Sequence, residues 1–286
     1  MMNAISDIHK NTKPFVTCKD FLVSNETFSI RKNDEIDVLI TSPIPEDLNK
    51  YYQSDAYISH SDTRKSIVDI LYYWVRSYTL KQKMKMLNSF APTNKSVLDI
   101  GAGTGEFLSV CKKDNWNIFG IEPDKIAREH ALKKGIELEE DIFSFQKNSF
   151  DVITLWHVLE HVSNLETYIT TLKKMLKPHG TLVIAVPNYK SFDALYFQEF
   201  WAAYDVPRHV WHFSQFAISK LFAAHKLKVV KTLPMKFDAY YVSLLSEKHR
   251  SGSIKFLKSF WIGFKSNWKA RKTSEYSSLI YVLKHT

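Results

Sequence analysis

Apolar and polar positions along this chain follow two different periods, and the switches between them mark the elements. Near the amino terminus the short apolar runs Phe21–Val23, Phe28–Ile30 and Ile36–Ile40 are punctuated by Ser24-Asn25 and Asn33-Asp34. That pattern predicts a small β-hairpin module over residues 1–48, closed by Pro43 and Pro45. The period then becomes helical: Ile67, Ile70, Leu71, Trp74, Val75 and Tyr78 predict an amphipathic helix to about Met86, within a lead-in of residues 49–92 that Pro92 ends. From Ser96 onward the runs SVLDI, NIFGIE, DVITL and TLVIAV alternate with helical stretches ending near Lys113, Lys134 and Leu176. Such βαβ rhythm predicts an α/β domain over residues 93–286, a parallel sheet with helices on both faces. Ser214 is placed to cap a helix running to about His225, LKVVKTL follows as a strand, and SLIYVL (278–283) reads as a last strand. Between these two strands lies an insertion, roughly residues 236–275. Its stretch 253–272 reads as one amphipathic helix, with Ile254, Leu257, Trp261, Phe264 and Trp268 at i, i+3, i+7, i+10 and i+14.

Composition changes this picture in two ways. The 286 residues suffice for a sizeable core, and only Cys18 and Cys111 are present, which excludes a disulfide framework and a cysteine-based zinc site. No apolar leader and no run of roughly 18 apolar residues occurs, so the expectation is a cytoplasmic protein. The formal net charge of +9 sits in the flanks, with Lys81, Lys83 and Lys85 in one run and six cations between Lys255 and Lys272. A charge confined to runs of this kind is read as solvated helix faces and disfavours nucleic acid as partner. Nothing in the pattern specifies an oligomer.

The densest chemistry lies in VLDIGAGTGEFL, residues 97–108, where an apolar strand turns through Gly101, Gly103 and Gly105 into a helix. Glycines there permit positive φ and let the backbone approach a ligand. About 20 residues on, IFGIEPD places Glu122 at the tip of the next strand, where a carboxylate accepts both hydroxyls of a ribose. A nicotinamide dinucleotide is the natural rival, but the glycines fall as GxGxG instead of GxGxxG, and Asp99 would set negative charge against a pyrophosphate. A sulfonium nucleoside carrying an ammonium group meets no such objection.

Four stretches, VLDIGAGTGEFL, IFGIEPD, SFDVITLWHVLEHV and LKKMLKPHGTLVIAVPN, span Val97 to Asn188, about a third of the chain. In order and spacing they resemble the class I S-adenosylmethionine-dependent methyltransferases, and among them enzymes similar to the ubiquinone-biosynthesis O-methyltransferases. The resemblance implies a Rossmann-like seven-stranded sheet whose last strand is antiparallel, with S-adenosyl-L-methionine as cofactor. It implies that the methionine part lies near Asp99, Gly101, Ala102 and Gly103, the ribose on Glu122, and the adenine near Pro123, Asp141 and Ile142, with Leu155 completing the set. His179 departs from the family's PGG turn. Relatives often begin with a cysteine-rich zinc ribbon; here only Cys18 is left, so the amino-terminal module reads either as a degenerate, metal-free ribbon or as an unrelated hairpin.

On the acceptor side, methyl transfer is an in-line displacement that chiefly needs orientation, with a base to take the acceptor's proton. Two groups offer one. His157, Glu160 and His161 follow the fourth strand; H-x-x-E-H resembles the family's E-x-x-E-H, and on a helix its three groups would share one face as metal ligands. His157 replaces the first acid, and the reading assigns no metal: Glu160 and His161 cap the helix or line the pocket, and His157 faces the acceptor. Asp205, Arg208, His209 and His212 lie in FWAAYDVPRHVWHF, an aromatic loop read either as a lid over the acceptor or as a satellite core. His157 and His209 are the candidate catalytic residues, with a pKa near neutrality the property required of them. Tyr57 and His60, in YYQSDAYISHS, are candidates to close the cofactor cleft. The acceptor expected is a small molecule or a glycan- or lipid-linked group, methylated at oxygen. A non-catalytic nucleoside-binding module and an RNA or protein methyltransferase are the alternatives, although the N/D-P-P-Y/F signature of many amino-group enzymes is absent. The basic helix 253–272 is read as a lid that packs its aromatic face onto the protein, with peripheral membrane contact as the competing role.

Overall fold

The computed structural model describes residues 8–52, 67–90, 95–142 and 145–286. Three antiparallel strands come first: β1 (Thr12–Lys19), β2 (Thr27–Asn33) and β3 (Val38–Ser42). The run Phe21–Val23, expected as a strand, is a turn instead. The Asp20 carboxylate accepts from the backbone N–H groups of Leu22, Val23 and Ser24, and this local bonding competes with a ladder.

The remaining elements are α1 (Ile67–Asn88), β4 (Ser96–Ile100), α2 (Glu106–Lys113), β5 (Asn117–Ile121), α3 (Lys125–Leu132) and β6 (Phe150–Trp156). They continue through α4 (Leu165–Met175), β7 (Leu176–Pro187), α5 (Phe192–Phe197), β8 (Trp211–His212), α6 (Gln215–Ala224) and β9 (Leu227–Pro234). Last come α7 (Asp238–Ser251), α8 (Phe256–Thr273) and β10 (Ser278–His285). Asp124, Asn164, Ser191 and Ser214 cap α3, α4, α5 and α6 by accepting a backbone N–H three residues on, which explains why these helices begin where they do.

The main sheet has the order β5-β4-β6-β7-β10-β9. Its first four strands are parallel, and β10 runs antiparallel to both β7 and β9. Among the described residues six strands form where seven were expected. Beyond β5 the seventh is reduced to one parallel bridge, Ile121 to Glu139, because the segment there is the acidic Glu137–Asp141, which has little apolar surface to bury. β7 begins earlier than expected and absorbs the His179 turn. Its start pairs Leu176 with Phe150, and a register shift precedes the pairing of Thr181 with Val152.

β8 belongs to a second sheet, in the order β1-β2-β3-β8, with Leu39 opposite His212 and Ile40 opposite Trp211. The amino-terminal strands therefore pair with the loop that follows β7. Among the described residues no cysteine-based metal ligand set occurs there; Cys18 and Cys111 are free and buried. The aromatic loop 197–213 is a satellite core, since Phe197, Trp201, Tyr204 and Phe213 are buried, three of them with Cys18, Phe28, Ile30 and Leu39 in one cluster. The lid reading of this loop is thereby corrected: its rings have an apolar sheet to cover. The insertion holds two helices where one was expected, α7 and α8, packed on each other and on α5. No described helix is long and apolar enough to cross a membrane.

Candidate active site

The carboxyl ends of β4, β5 and β6 carry the site. Directly after β4, Gly101 and Gly103 adopt φ of 69° and 54°, in the left-handed region that glycine enters without strain. A Cβ on Gly101 would stand 2.4 Å from Val158 Cγ2, whereas one on Gly103 would meet nothing within 4 Å among the described residues. The Gly103 N–H donates to Glu122 Oε2 (2.8 Å), and Glu122 Oε1 accepts from the Asp124 N–H (3.0 Å). Loop and carboxylate thus meet at one sheet edge, and each carboxylate oxygen keeps a lone pair for a hydroxyl group. Ala102 lines the loop, Pro123 and Asp141 are exposed beside it, and Ile142 is buried.

Two residues of the expected cofactor set do not face an open site. Leu155 is wholly buried in the main core, because the alternation along β6 turns it inward. Asp99 is buried and accepts from Thr154 Oγ1 (2.6 Å). Burial raises its pKa to about 7, against the Thr154 hydrogen bond and the nearby Lys83. Lys83, on α1, lies over the Trp156 ring with Nζ 3.8 Å from its centroid, and burial lowers its pKa to about 8. Sequence reasoning did not single out Lys83 and Trp156 as neighbours of Asp99, although the lysine run on an amphipathic helix was the available signal. Tyr57 and His60 lie outside the described residues.

At the end of β6, His157 has φ 57°, unusual for a residue with a side chain, and its N–H donates to Ala185 O (3.0 Å). The ring is held at both nitrogens: Nδ1 is 3.3 Å from Glu160 Oε1, and Nε2 is 3.1 Å from Asp238 Oδ2. Burial disfavours its charged form, but the bonds to Asp238 and Glu160 outweigh that and raise its pKa to about 10. The expected value near neutrality is therefore corrected, because two carboxylates make this ring a cation. Asp238 comes from the insertion, where no motif marked it.

The segment His157–His161 forms a 3₁₀ turn only at Leu159–His161, so the helical face that would align its three polar groups does not exist. A different trio converges. Glu160, His161 and His209 bring one ligand atom each within 4.8 Å of one another. His161 Nδ1 lies 2.9 Å from the Tyr52 hydroxyl and 3.1 Å from the Arg208 carbonyl, while His209 Nδ1 lies 2.9 Å from the Ala203 carbonyl. Burial, reinforced by His209, lowers the His161 pKa to about 4. His209 is buried edge-on to His161, with ring centroids 4.6 Å apart. It stands beside Glu160, and its carbonyl accepts from the Thr41 hydroxyl of the amino-terminal sheet (2.6 Å). Arg208 and Asp205 are structural: the buried guanidinium donates to Asp205 (2.6 Å), Asp20 (2.9 Å) and the Tyr51 carbonyl (2.8 Å), joining the loop to the amino-terminal module. A cleft of about 400 Å³ lined by Ser96, Asn117, Ser149, Asp151 and Lys177 lies at the opposite, amino-terminal edge of the strands, away from all of this chemistry.

A family model described as "Methyltransferase domain" matches residues 74–232, more than half of the chain. The chain is similar to the ubiquinone biosynthesis O-methyltransferase of Pasteurella multocida (strain Pm70), 32% identical over 115 residues that cover 34% of this chain and 48% of that relative. The protein of the same name from Actinobacillus pleuropneumoniae serotype 7 (strain AP76) is 35% identical over 108 residues, covering 33% and 46%. The chain spans about half the length of the curated relatives it matches. Among solved structures, geranyl diphosphate C-methyltransferase from Streptomyces coelicolor A3(2) superposes with a TM-score of 0.53 at 12% identity, covering 75% of this chain and 80% of that one. A SAM dependent methyltransferase from Archaeoglobus fulgidus does so at 0.50 and 16%, covering 74% and 99%. At these identities the likeness is one of fold.

Proposed function

The chain belongs to the methyltransferase-domain family, and on that premise we propose that it transfers a methyl group from S-adenosylmethionine to an oxygen of a small-molecule or glycan- or lipid-linked acceptor. The observation that carries the reading is the meeting of the Gly103 N–H with the Glu122 carboxylate at the end of the parallel strands. A nucleoside seated there has its ribose on Glu122 and its amino-acid part along Gly101–Gly103. The name of the similar proteins supports oxygen as the acceptor atom. A cytoplasmic location is part of the reading, supported by two free, buried cysteines.

In the transfer, the acceptor oxygen attacks the methyl carbon as the carbon–sulfur bond breaks, its electron pair passing to sulfur, and the acceptor loses a proton. His157 orients the acceptor. It does so through Asp238: both of its N–H groups are taken by Asp238 and Glu160, so the lone pairs left on Asp238 accept from the acceptor hydroxyl, and the released proton goes to a carboxylate of the group or to solvent. His209 acts through Glu160 and is a positioning residue. Calorimetry tests the cofactor assignment: S-adenosylmethionine and its demethylated product bind, and Glu122→Ala weakens binding by about 1.5 to 3 kcal/mol, the range for a hydrogen bond to a charged group. Binding of a nicotinamide dinucleotide in their place refutes it. Tight binding with no turnover across an acceptor panel favours the non-catalytic module, and turnover only on RNA or protein moves the acceptor class.

A second reading is favoured by one atom. Glu160 Oε2 is buried and meets no hydrogen-bond donor among the described residues, and it belongs to the trio with His161 and His209. A carboxylate and two imidazoles suit a divalent cation, which would supply Lewis acidity next to the acceptor. The carbonyl contacts at both Nδ1 atoms orient the rings as such ligands require.

A further inference from the structure

The helix α8 turns its large side chains away from the protein. Leu257 is 89% exposed, Trp261 62%, Phe260 60% and Trp268 55%, and Phe264 is also exposed. Its buried positions are small or single: Ser259, Ile262, Gly263, Ser266 and Ala270. The helix cannot roll to hide its rings. Ser266 Oγ donates to the buried Asp193 (2.6 Å), and a Cβ on Gly263 would stand 2.9 Å from the Ala239 carbonyl and from Tyr240 Cα, so the small face is fitted against α7. The expectation that α8 packs its aromatic stripe inward as a lid is therefore corrected.

We propose that this face of α8, continued by α7, docks on the interfacial layer of an anionic lipid bilayer. Charge identifies the occupant. Between Ser253 and Lys272 there are six cations and no acid; Lys255 and Lys258 pair with Glu247 of α7, which leaves a net excess of positive charge, and Lys265 and Lys269 flank the stripe with their ammonium groups 5.3 and 4.1 Å from the Phe192 ring centroid. A second copy meeting this face with the same face would set like charges together, whereas anionic headgroups complement them. Exposed tryptophan and phenylalanine beside lysine suit the boundary between headgroups and acyl chains. The surface is also continuous with the site: Phe260 stacks on Tyr240 (5.1 Å), Phe237 meets Tyr78 (5.8 Å), and the next residue, Asp238, holds His157. A bilayer on this face lies beside the acceptor end. That last consequence rests on the proposed function; the docking itself does not.

The full chain is sedimented with vesicles of phosphatidylcholine alone or mixed with phosphatidylglycerol, without cofactor, so the result is independent of methyl transfer. Anionic vesicles should carry the protein down, with binding fading as salt rises from ~0.1 to ~0.5 M. The double variants Trp261→Ser/Trp268→Ser and Lys265→Glu/Lys269→Glu should each lower partitioning by at least about tenfold. Because Trp261 and Trp268 project outward, thermal melting of Trp261→Ser/Trp268→Ser should stay unchanged, whereas Lys265→Glu/Lys269→Glu also loses the contacts to Phe192 and is compared with wild type only at temperatures where both are folded. No sedimentation with either vesicle, or equal partitioning of wild type and both variants, overturns the proposal. A concentration-dependent dimer abolished by Trp261→Ser/Trp268→Ser, with no vesicle binding, assigns the face to a second copy instead.

Discussion

Replacing Asp238 by Asn removes one of the two carboxylates that keep His157 protonated while leaving the shape of the side chain almost unchanged. The imidazole rises from its ordinary 6.5 to about 10 because the gains from Asp238 and Glu160 together exceed the loss from burial. One carboxylate at hydrogen-bond distance, partly shielded by solvent, is worth a shift of about 1 to 3 in pKa. Asp238→Asn should therefore bring the His157 pKa down by that amount, toward the range where it titrates between pH 7 and 9. The assay is a titration of the histidine Cε1 protons by NMR, with the His157 signal assigned by its loss in His157→Asn. Linkage fixes the sign of the accompanying stability effect. The folded pKa is raised, so the contribution of the pair is fully present below the unfolded value of about 6.5 and is lost as pH rises through about 10. Urea midpoints of wild type and Asp238→Asn should accordingly differ most below about pH 6.5 and converge above about pH 10. A wild-type His157 that titrates near 6.5, or one indifferent to Asp238→Asn, refutes the argument and returns the ring to the role of a neutral base.

Two further outcomes follow from the buried polar groups. Arg208→Ala leaves Asp20 and Asp205 without their shared cation and should destabilise the fold by about 3 to 5 kcal/mol in urea at pH 7. Both carboxyl groups have lowered pKa values, since Arg208 and their other partners outweigh burial, so the gap between wild type and variant should hold above about pH 4 and close as pH falls below their ordinary 3.8; a gap unchanged at low pH removes the ion-pair account. For the trio at Glu160, metal analysis after incubation with Zn²⁺ and desalting should find about one ion per chain in the wild type and none in Glu160→Gln, and a wild type that retains no ion refutes the metal reading.

The central parallel strands were legible in the sequence because a strand buried on both faces must be a short continuous apolar run, and SVLDI and TLVIAV are that, while NIFGI at the sheet edge was marked by its β-branched and aromatic residues between helical stretches. The glycine loop and Glu122 were legible for the same kind of reason: left-handed backbone and a carboxylate at a strand tip are local requirements. The acceptor side was harder to read, because its partners are far apart in the chain. His157 is paired with Asp238 across 81 positions, Tyr52 with His161 across 109, and Arg208 with Asp20 across 188. Two of the catalytic candidates thus changed character, one into a cation and the other into a buried support, through neighbours that no local spacing could supply.

The misreading of α8 has a more general cause. A helical period in the sequence locates an apolar stripe but says nothing about which face the protein covers, and the inference that the apolar face turns inward assumes that burial of large side chains is the only stabilising option. Here the opposite face is built from Ser259, Gly263, Ser266 and Ala270, which permit the close approach of α7 and give Asp193 a hydroxyl partner. Burying the rings instead would require α8 to turn over, leaving Asp193 without its Ser266 partner and opening the space that Gly263 closes. A buried carboxylate oxygen stripped of its donor, with only the other oxygen still held by Trp201 and Ser277, and a lost helix contact together oppose hiding a stripe that water tolerates only in part. The rings are therefore held outward by the small residues behind them. A stripe so held is stabilised further only by something that arrives from outside the chain, and the six cations along it select a surface of negative charge.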